Sequence, residues 1–61
     1  MTTDWPTWLG AMAHHMDKIT KLIDTMTDED IPAQELVNNI YDVIRYGNLA
    51  LEGLEEEYGT N

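Results

Sequence analysis

The sequence predicts an all-α protein in which two antiparallel helices form a hairpin. Two long segments carry apolar residues at alternating intervals of three and four, the spacing of a helix that packs lengthwise against another helix. A short acidic segment that contains a proline separates them, and the two apolar rows match each other when the chain folds back. We therefore expect one helical-hairpin domain over residues 1–61, with helices at about 5–26 and about 32–57 and a turn at 27–31.

The first helix is predicted from its opening residues and its apolar row. Asp4 can accept hydrogen bonds from free amides of the first turn, and Pro6 suits that turn because its missing N–H is not needed there. The apolar residues of the row are Trp5, Leu9, Met12, Met16, Ile19, Ile23 and Met26.

The turn is predicted where the apolar period stops. Thr27 to Asp30 continue no helical pattern, and Pro32 disfavours helical geometry at Ile31. We expect Asp30 to cap the second helix.

The second helix has its own apolar row, and together the two rows are called the seam. The residues of the second row are Ala33, Val37, Ile40, Ile44, Gly47, Leu51, Leu54 and Tyr58. A connection of about five residues implies antiparallel neighbours. The pairing that starts with Met26 opposite Ala33 places the long Met12 opposite Gly47, so we expect the seam residues of the two helices to face each other.

A second apolar surface lies on the flank of the predicted seam. Its residues are Trp8, His15, Leu22, Leu36, Val43 and Ala50. An exposed apolar patch on a small monomer usually marks an interface, and a two-fold copy of the hairpin would cover it in a four-helix bundle. We predict a homodimer with these six residues at its interface, with a different partner protein as the alternative.

The charge restricts the classes of partner. Twelve acidic residues against three basic ones give a net charge of −9, so direct binding to nucleic acid or to anionic membranes is not expected. The charge favours a basic protein partner or serves solubility alone. No apolar segment approaches the ~20 residues of a membrane span, and no signal peptide is recognisable, so we expect a cytoplasmic protein.

No pattern in the sequence indicates catalysis, a metal or a cofactor. The chain has neither Cys nor Ser, and the adjacent His14 and His15 point about 100° apart on a helix, so they cannot share one ion. The segment from Asp28 to Asp30 lacks the glycine of a calcium loop. We expect no enzyme activity.

Two groups on the second helix are candidates for binding a partner. Tyr46 and Leu49 lie outside the seam, and an acidic cluster follows them near the end of the helix. The carboxylates of that cluster belong to Glu52, Glu55, Glu56 and Glu57. They oppose the helix dipole and repel one another, so they are either a solvated terminus or a surface for a basic partner.

The sequence thus predicts a small acidic protein without enzyme activity that binds another protein. The expected role is that of an inhibitor or regulator of a basic or nucleic-acid-binding partner. The alternatives are a DNA mimic that blocks a DNA-binding protein and a structural assembly subunit.

Overall fold

The computed structural model describes residues 4–59 and confirms the all-helical hairpin. Helix α1 spans Trp5–Thr25 and helix α2 spans Ala33–Tyr58. The two helices pack against each other along a rod that measures 47 × 16 × 14 Å.

The helix starts differ from the predicted caps. The carboxylate of Asp4 accepts a hydrogen bond from the Thr7 hydroxyl at 2.7 Å and caps no backbone amide. Asp30 does not cap α2 either: it exchanges two backbone hydrogen bonds with Thr27, at 3.1 and 3.2 Å, and α2 begins directly after Pro32. The closed turn holds Asp30 three residues before the first residue of the helix, and Pro32 takes the cap position instead.

Helix α2 ends at a glycine in the left-handed conformation. Gly59 has φ 63° and ψ 25°, and its N–H donates to the Glu55 carbonyl at 2.8 Å. This geometry favours glycine, because a Cβ is strained at positive φ.

The antiparallel register agrees with the predicted one at Met12 and Gly47, whereas Trp5, which was predicted opposite Leu54, contacts Tyr58. The rings of Trp5 and Tyr58 meet edge to face at 6.2 Å, so the end of α2 lies beside the start of α1. Met12 lies opposite Gly47, and a Cβ added to that glycine would come within 3.2 Å of the Met12 Sδ.

The rotation of the helices within that register differs from the prediction. Several seam residues are about half exposed, Met16 at 49%, Ile23 at 52% and Ile44 at 53% among them. The other large seam residues that are exposed are Met26, Val37, Ile40, Leu51 and Tyr58. Tyr58 still contacts α1 through the Trp5 ring, but for the others the prediction that they are covered by the other helix was wrong.

The row between the helices lies one position earlier along most of the chain. We call it the contact row: Trp8, Met12, His15, Ile19 and Leu22 on α1, and Leu36, Asn39, Val43, Tyr46, Ala50 and Gly53 on α2. It has the same three-and-four spacing as the seam. Every member is half-buried or buried, and Ala50 is 2% exposed.

Side-chain size explains part of this choice. The contact row has Ala50 and Gly53 where the seam has Leu51 and Leu54. Small side chains let two helices pack closely, and both small residues are buried at this end of α2. Among residues 4–59, Ala50 is the only buried hydrophobic side chain, so the hairpin has very little core of its own.

Candidate protein-binding surfaces

An aromatic stack forms the centre of the helix contact. The Tyr46 ring lies 5.6 Å from the Trp8 ring and 5.6 Å from the His15 ring, with interplanar angles of 11° and 15°. Trp8 and His15 are seven residues apart on α1, a rise of about 10.5 Å, which is close to two such ring spacings. Tyr46 is therefore inserted between the two α1 rings.

Arg45 and Asp42 cover this stack from α2. The Arg45 Nη2 donates to the Asp42 carboxylate at 3.0 Å and to the Tyr46 hydroxyl at 3.3 Å. The Arg45 guanidinium carbon lies 5.0 Å from the centre of the Tyr46 ring, within the range of a cation–π contact. The tyrosine ring thus has neighbours on α1 and on its own helix.

The hydrogen bonds of Asn39 fix the protonated nitrogen of His15. The Asn39 Nδ2 donates to the Glu35 carbonyl at 2.8 Å, so the other amide atom, which lies 2.8 Å from His15 Nδ1, is the oxygen. Nδ1 must then donate, and the proton of the neutral ring sits there. The Asp42 carboxylate lies 3.6 Å from the same nitrogen.

The six residues predicted for a surface between two copies all lie in the contact row. Ala50 is buried, and Trp8, His15, Leu22, Leu36 and Val43 are half-buried in a single chain. The rotation of the helices has brought this surface inside the hairpin. The exposed apolar surface is formed by seam residues instead.

The exposed seam residues form one continuous surface because of the helix geometry. Met16, Ile23, Ile40, Ile44 and Leu51 each follow a contact-row residue by one position. One position turns a side chain by about 100°, and in antiparallel helices that face each other the same rotation carries both rows to the same side. We call these five residues the apolar face.

The opposite side of the hairpin is polar by the same rule. The residue before a contact-row residue turns away from the apolar face, and Lys18, Lys21, Asp42 and Arg45 all hold such positions. These include all three cationic residues of the chain. We call this the polar side.

An open groove of about 370 Å³ lies on the polar side near the turn. Its walls come from Lys18, Lys21, Leu22, Thr25, Glu35 and Asn39. The Lys21 ammonium pairs with Asp17 at 3.1 Å, and both side chains are well exposed, so the pair contributes little to stability.

The acidic cluster near the end of α2 lies beside the start of α1. The Trp5 indole N–H donates to the Glu57 carboxylate, so Glu57 belongs partly to the hairpin contact. Glu52 and Glu56 are exposed, and Glu55 is half-buried. Within residues 4–59, no Lys, Arg or His side chain lies within 4 Å of these four carboxylates.

The other two candidate partner-binding residues contribute mostly to the hairpin. Tyr46 and Leu49 are both half-buried, and the Tyr46 ring is engaged in the aromatic stack. Of the predicted partner-binding residues, the glutamates are therefore the ones that face solvent most freely.

No cluster of three or more metal-binding side chains occurs in the described part of the chain. None of its helices is long and apolar enough to cross a membrane. Comparison with protein families, with curated proteins and with solved structures found no match.

The polar network around His15 was not predicted from the sequence. Asn39 and Asp42 belong to neither of the predicted apolar rows, and no contact with His15 was predicted for them. The predicted register could have indicated this network, because it places His15 of α1 about level with residue 44 of α2. Asn39 and Asp42 both lie within one or two helical turns of that level.

Proposed function

We propose that this chain is a small acidic protein without enzyme activity that binds another protein, and that two copies of it form a four-helix bundle. Its role is that of an inhibitor or regulator of a basic or nucleic-acid-binding partner in the cytoplasm. The observation that carries the proposal is the acidic cluster, with Glu52 and Glu56 exposed and no cation beside it in residues 4–59.

The electrostatics of the cluster favour a partner over a purely structural role. Carboxylates at the C-terminal end of a helix face the negative end of its dipole, and like charges three or four residues apart repel. The neighbouring start of α1 offsets only part of this, through the hydrogen bond to Glu57. A basic partner would supply the missing positive charge, and the affinity would then fall as salt rises.

The remainder of the molecule supports a rigid platform for this cluster. Trp5 contacts both Glu57 and Tyr58, so the end of α2 is fastened to α1. Charges held on a rigid helix lose less conformational freedom on binding than charges on a flexible tail. A partner therefore meets a preformed acidic surface.

The test is a binding comparison between two variants of equal charge. In the first, Glu52, Glu55 and Glu56 are all changed to Gln; Glu57 is kept because Trp5 donates to it. In the matched control, three exposed acids near the turn are neutralised instead, by Asp24→Asn, Asp28→Asn and Glu29→Gln. Both variants lose three negative charges, so only the position of the lost charge differs.

The wild-type chain and both variants are immobilised and exposed to a lysate of the source cells at two salt concentrations. Charge interactions are weakly screened at about 0.05 M salt and strongly screened at about 0.5 M. We expect basic proteins on the wild type and the control, and their loss from the first variant and at high salt. Equal binding to both variants would contradict the proposal. Displacement of the bound protein by duplex DNA would identify the DNA-mimic form of this function.

A further inference from the structure

We infer that two copies of this chain associate through the apolar face, with Met16, Ile23, Ile40, Ile44 and Leu51 of each copy at the contact. The inference rests on the four-helix bundle of the proposed function and assigns its interface. That interface differs from the one the sequence predicted, since the six residues expected there lie in the contact row.

The chemistry of the apolar face suits a second copy of the same chain. Its five members carry no charge, and four neighbours on the same side by helical spacing carry none either, namely Leu9, Thr20, Gly47 and Leu54. The charged neighbour is half-buried Glu55, one turn after Leu51 at the end of the face. An uncharged face offers nothing to recognise a basic partner. It is complementary to itself, because apolar side chains need only an apolar surface opposite them.

The hairpin exposes more surface than a compact monomer, by an amount comparable with one side of a small interface. The chain of 7.0 kDa exposes 4653 Å². A compact monomer of this mass would expose about 4,000 Å². The excess of about 600 Å² approaches the roughly 800 Å² that each partner buries in an interface of standard size.

The elongated shape of the hairpin favours two copies packed side by side. Its radius of gyration is 14.3 Å, whereas a compact domain of its length would have about 10.5 Å. The single hairpin is therefore an elongated rod, 47 Å long and 14 to 16 Å thick. A second copy beside it would thicken the rod, and four helices side by side give a bundle in which the apolar face becomes part of the core.

The charge distribution permits this contact. The carboxylates of the acidic cluster lie near one end of the rod, and those of Asp28, Glu29 and Asp30 lie in the turn at the other. The middle of the apolar face, at Met16 and Ile44, is thus far from both acidic ends. Since each copy carries a net charge of −9, the remaining repulsion is long-ranged, and salt should tighten the dimer.

The test compares two substitutions on α2. Ile44→Glu puts a charge on the apolar face, and Asn38→Glu puts the same charge on an exposed residue of the polar side, directly before Asn39 of the contact row. Sedimentation equilibrium of the wild type from about 1 µM to about 1 mM should show a mass that approaches twice 7.0 kDa. We expect Ile44→Glu to raise the dissociation constant about 100-fold or more, and Asn38→Glu to change it less than about 3-fold.

Each outcome has a distinct meaning. If the mass of the wild type stays at 7.0 kDa at every concentration, both the dimer and the four-helix bundle are ruled out. A dimer that is equally strong with Ile44→Glu leaves the bundle standing and overturns the apolar face as its interface. Salt separates this proposal from the binding of a basic partner, because salt should strengthen the dimer and weaken the partner complex.

A second measurement needs no substitution and covers the case in which Ile44→Glu does not fold. Peroxide oxidises exposed methionine sulphur, and mass spectrometry gives the rate at each methionine. Met16 of the wild type should be oxidised several-fold more slowly at concentrations where the dimer forms, relative to half-buried Met12 in the same chain. An unchanged ratio in a chain that does dimerise would exclude the apolar face.

Discussion

The two sides of the hairpin differ in how far their side chains are satisfied by the chain itself. On the polar side, Arg45 pairs with Asp42 and donates to Tyr46, and nearby His15 donates to Asn39. On the apolar face, Ile44 and its neighbours are about half exposed to solvent. The contact row between them holds the two helices together but buries one alanine fully.

This difference teaches how a chain with so little core can carry a defined structure. Stacked rings and directed hydrogen bonds specify the register on one side, because each requires a particular partner. Apolar burial is not directional, and on the apolar face the single chain leaves side chains such as Ile44 about half exposed. The directed contacts that define the register therefore lie apart from most of the apolar surface.

The largest effect is expected at the closest contact of the helices. Ala50→Asp would bury an unpaired carboxylate where the side chain is 2% exposed, at a cost of about 3 kcal/mol or more. A chain of this size has a total stability of about the same magnitude, so the helical circular dichroism signal should be lost. Asn48→Asp adds the same charge at an exposed position on the same helix and should stay folded; loss of helix in both variants would contradict the assigned contact row.

The next largest effect is expected in the aromatic stack. Tyr46→Ala removes the ring between Trp8 and His15 and should lower the free energy of unfolding by about 3 kcal/mol. Tyr41→Ala deletes the same side chain where it is 68% exposed and should change it by less than about 0.5 kcal/mol. Urea denaturation at one fixed protein concentration measures both, and equal losses would show that the stack does not hold the hairpin.

A smaller effect is expected from the amide that accepts from His15. Asn39→Leu leaves the half-buried Nδ1–H of His15 without that acceptor and should cost about 1–2 kcal/mol. Asn38→Leu is the matched control, because Asn38 accepts only an exposed hydrogen bond from Gln34, and it should cost less than about 0.5 kcal/mol. The NMR signal of the His15 Nδ1 proton, present in wild type and lost in Asn39→Leu, provides an independent check.

The smallest effect on the single hairpin is expected from the apolar face. Ile44→Ser, measured at a concentration well below the dissociation constant of the dimer, should lower the free energy of unfolding by less than about 1 kcal/mol, because the side chain is already 53% exposed. The same substitution should cost more at high concentration, where unfolding is coupled to dissociation. A large loss at both concentrations would mean that this face holds the single hairpin together.

The sequence was sufficient for the parts of the fold that depend on spacing and volume. The three-and-four rhythm predicted two helices, and the short acidic connection predicted that they are antiparallel. Met12 was paired with Gly47 because a long side chain fits opposite a residue that has none, and the structure confirms this pairing. Such features are local or nearly local, so they can be predicted without knowing the packing.

The rotation of the helices could not be predicted in the same way. Two rows with equal spacing run beside each other on α2, one containing Ile44 and Leu51 and the other Val43 and Ala50. Hydrophobicity favoured the first row, whereas the second row has Ala50 in place of Leu51 and places the Tyr46 ring against rings of α1. The choice between the two rows depends on how they pack against the rings of α1. The spacing of apolar residues along α2 contains no information about those contacts.

The wrong rotation of the helices also affected the predicted binding surfaces. The acidic cluster was predicted from charge alone and is exposed as its composition suggests, apart from half-buried Glu55. The residues expected between two copies were identified only relative to the predicted seam, so they moved inside when the helices were rotated. A polar residue such as Asn39 can enter a helix contact when its partner is another polar group, which a hydrophobic pattern cannot reveal.

The position of the two tryptophans has a practical consequence for following this protein in solution. Trp5 touches Glu57 and Tyr58, and Trp8 stacks on Tyr46, so both indoles report on the same third of the rod. Their emission would record separation of the chain ends while remaining silent about melting near Thr27 and Asp30. A fluorescence trace that precedes or lags behind the ellipticity trace would therefore show which end of the hairpin opens first.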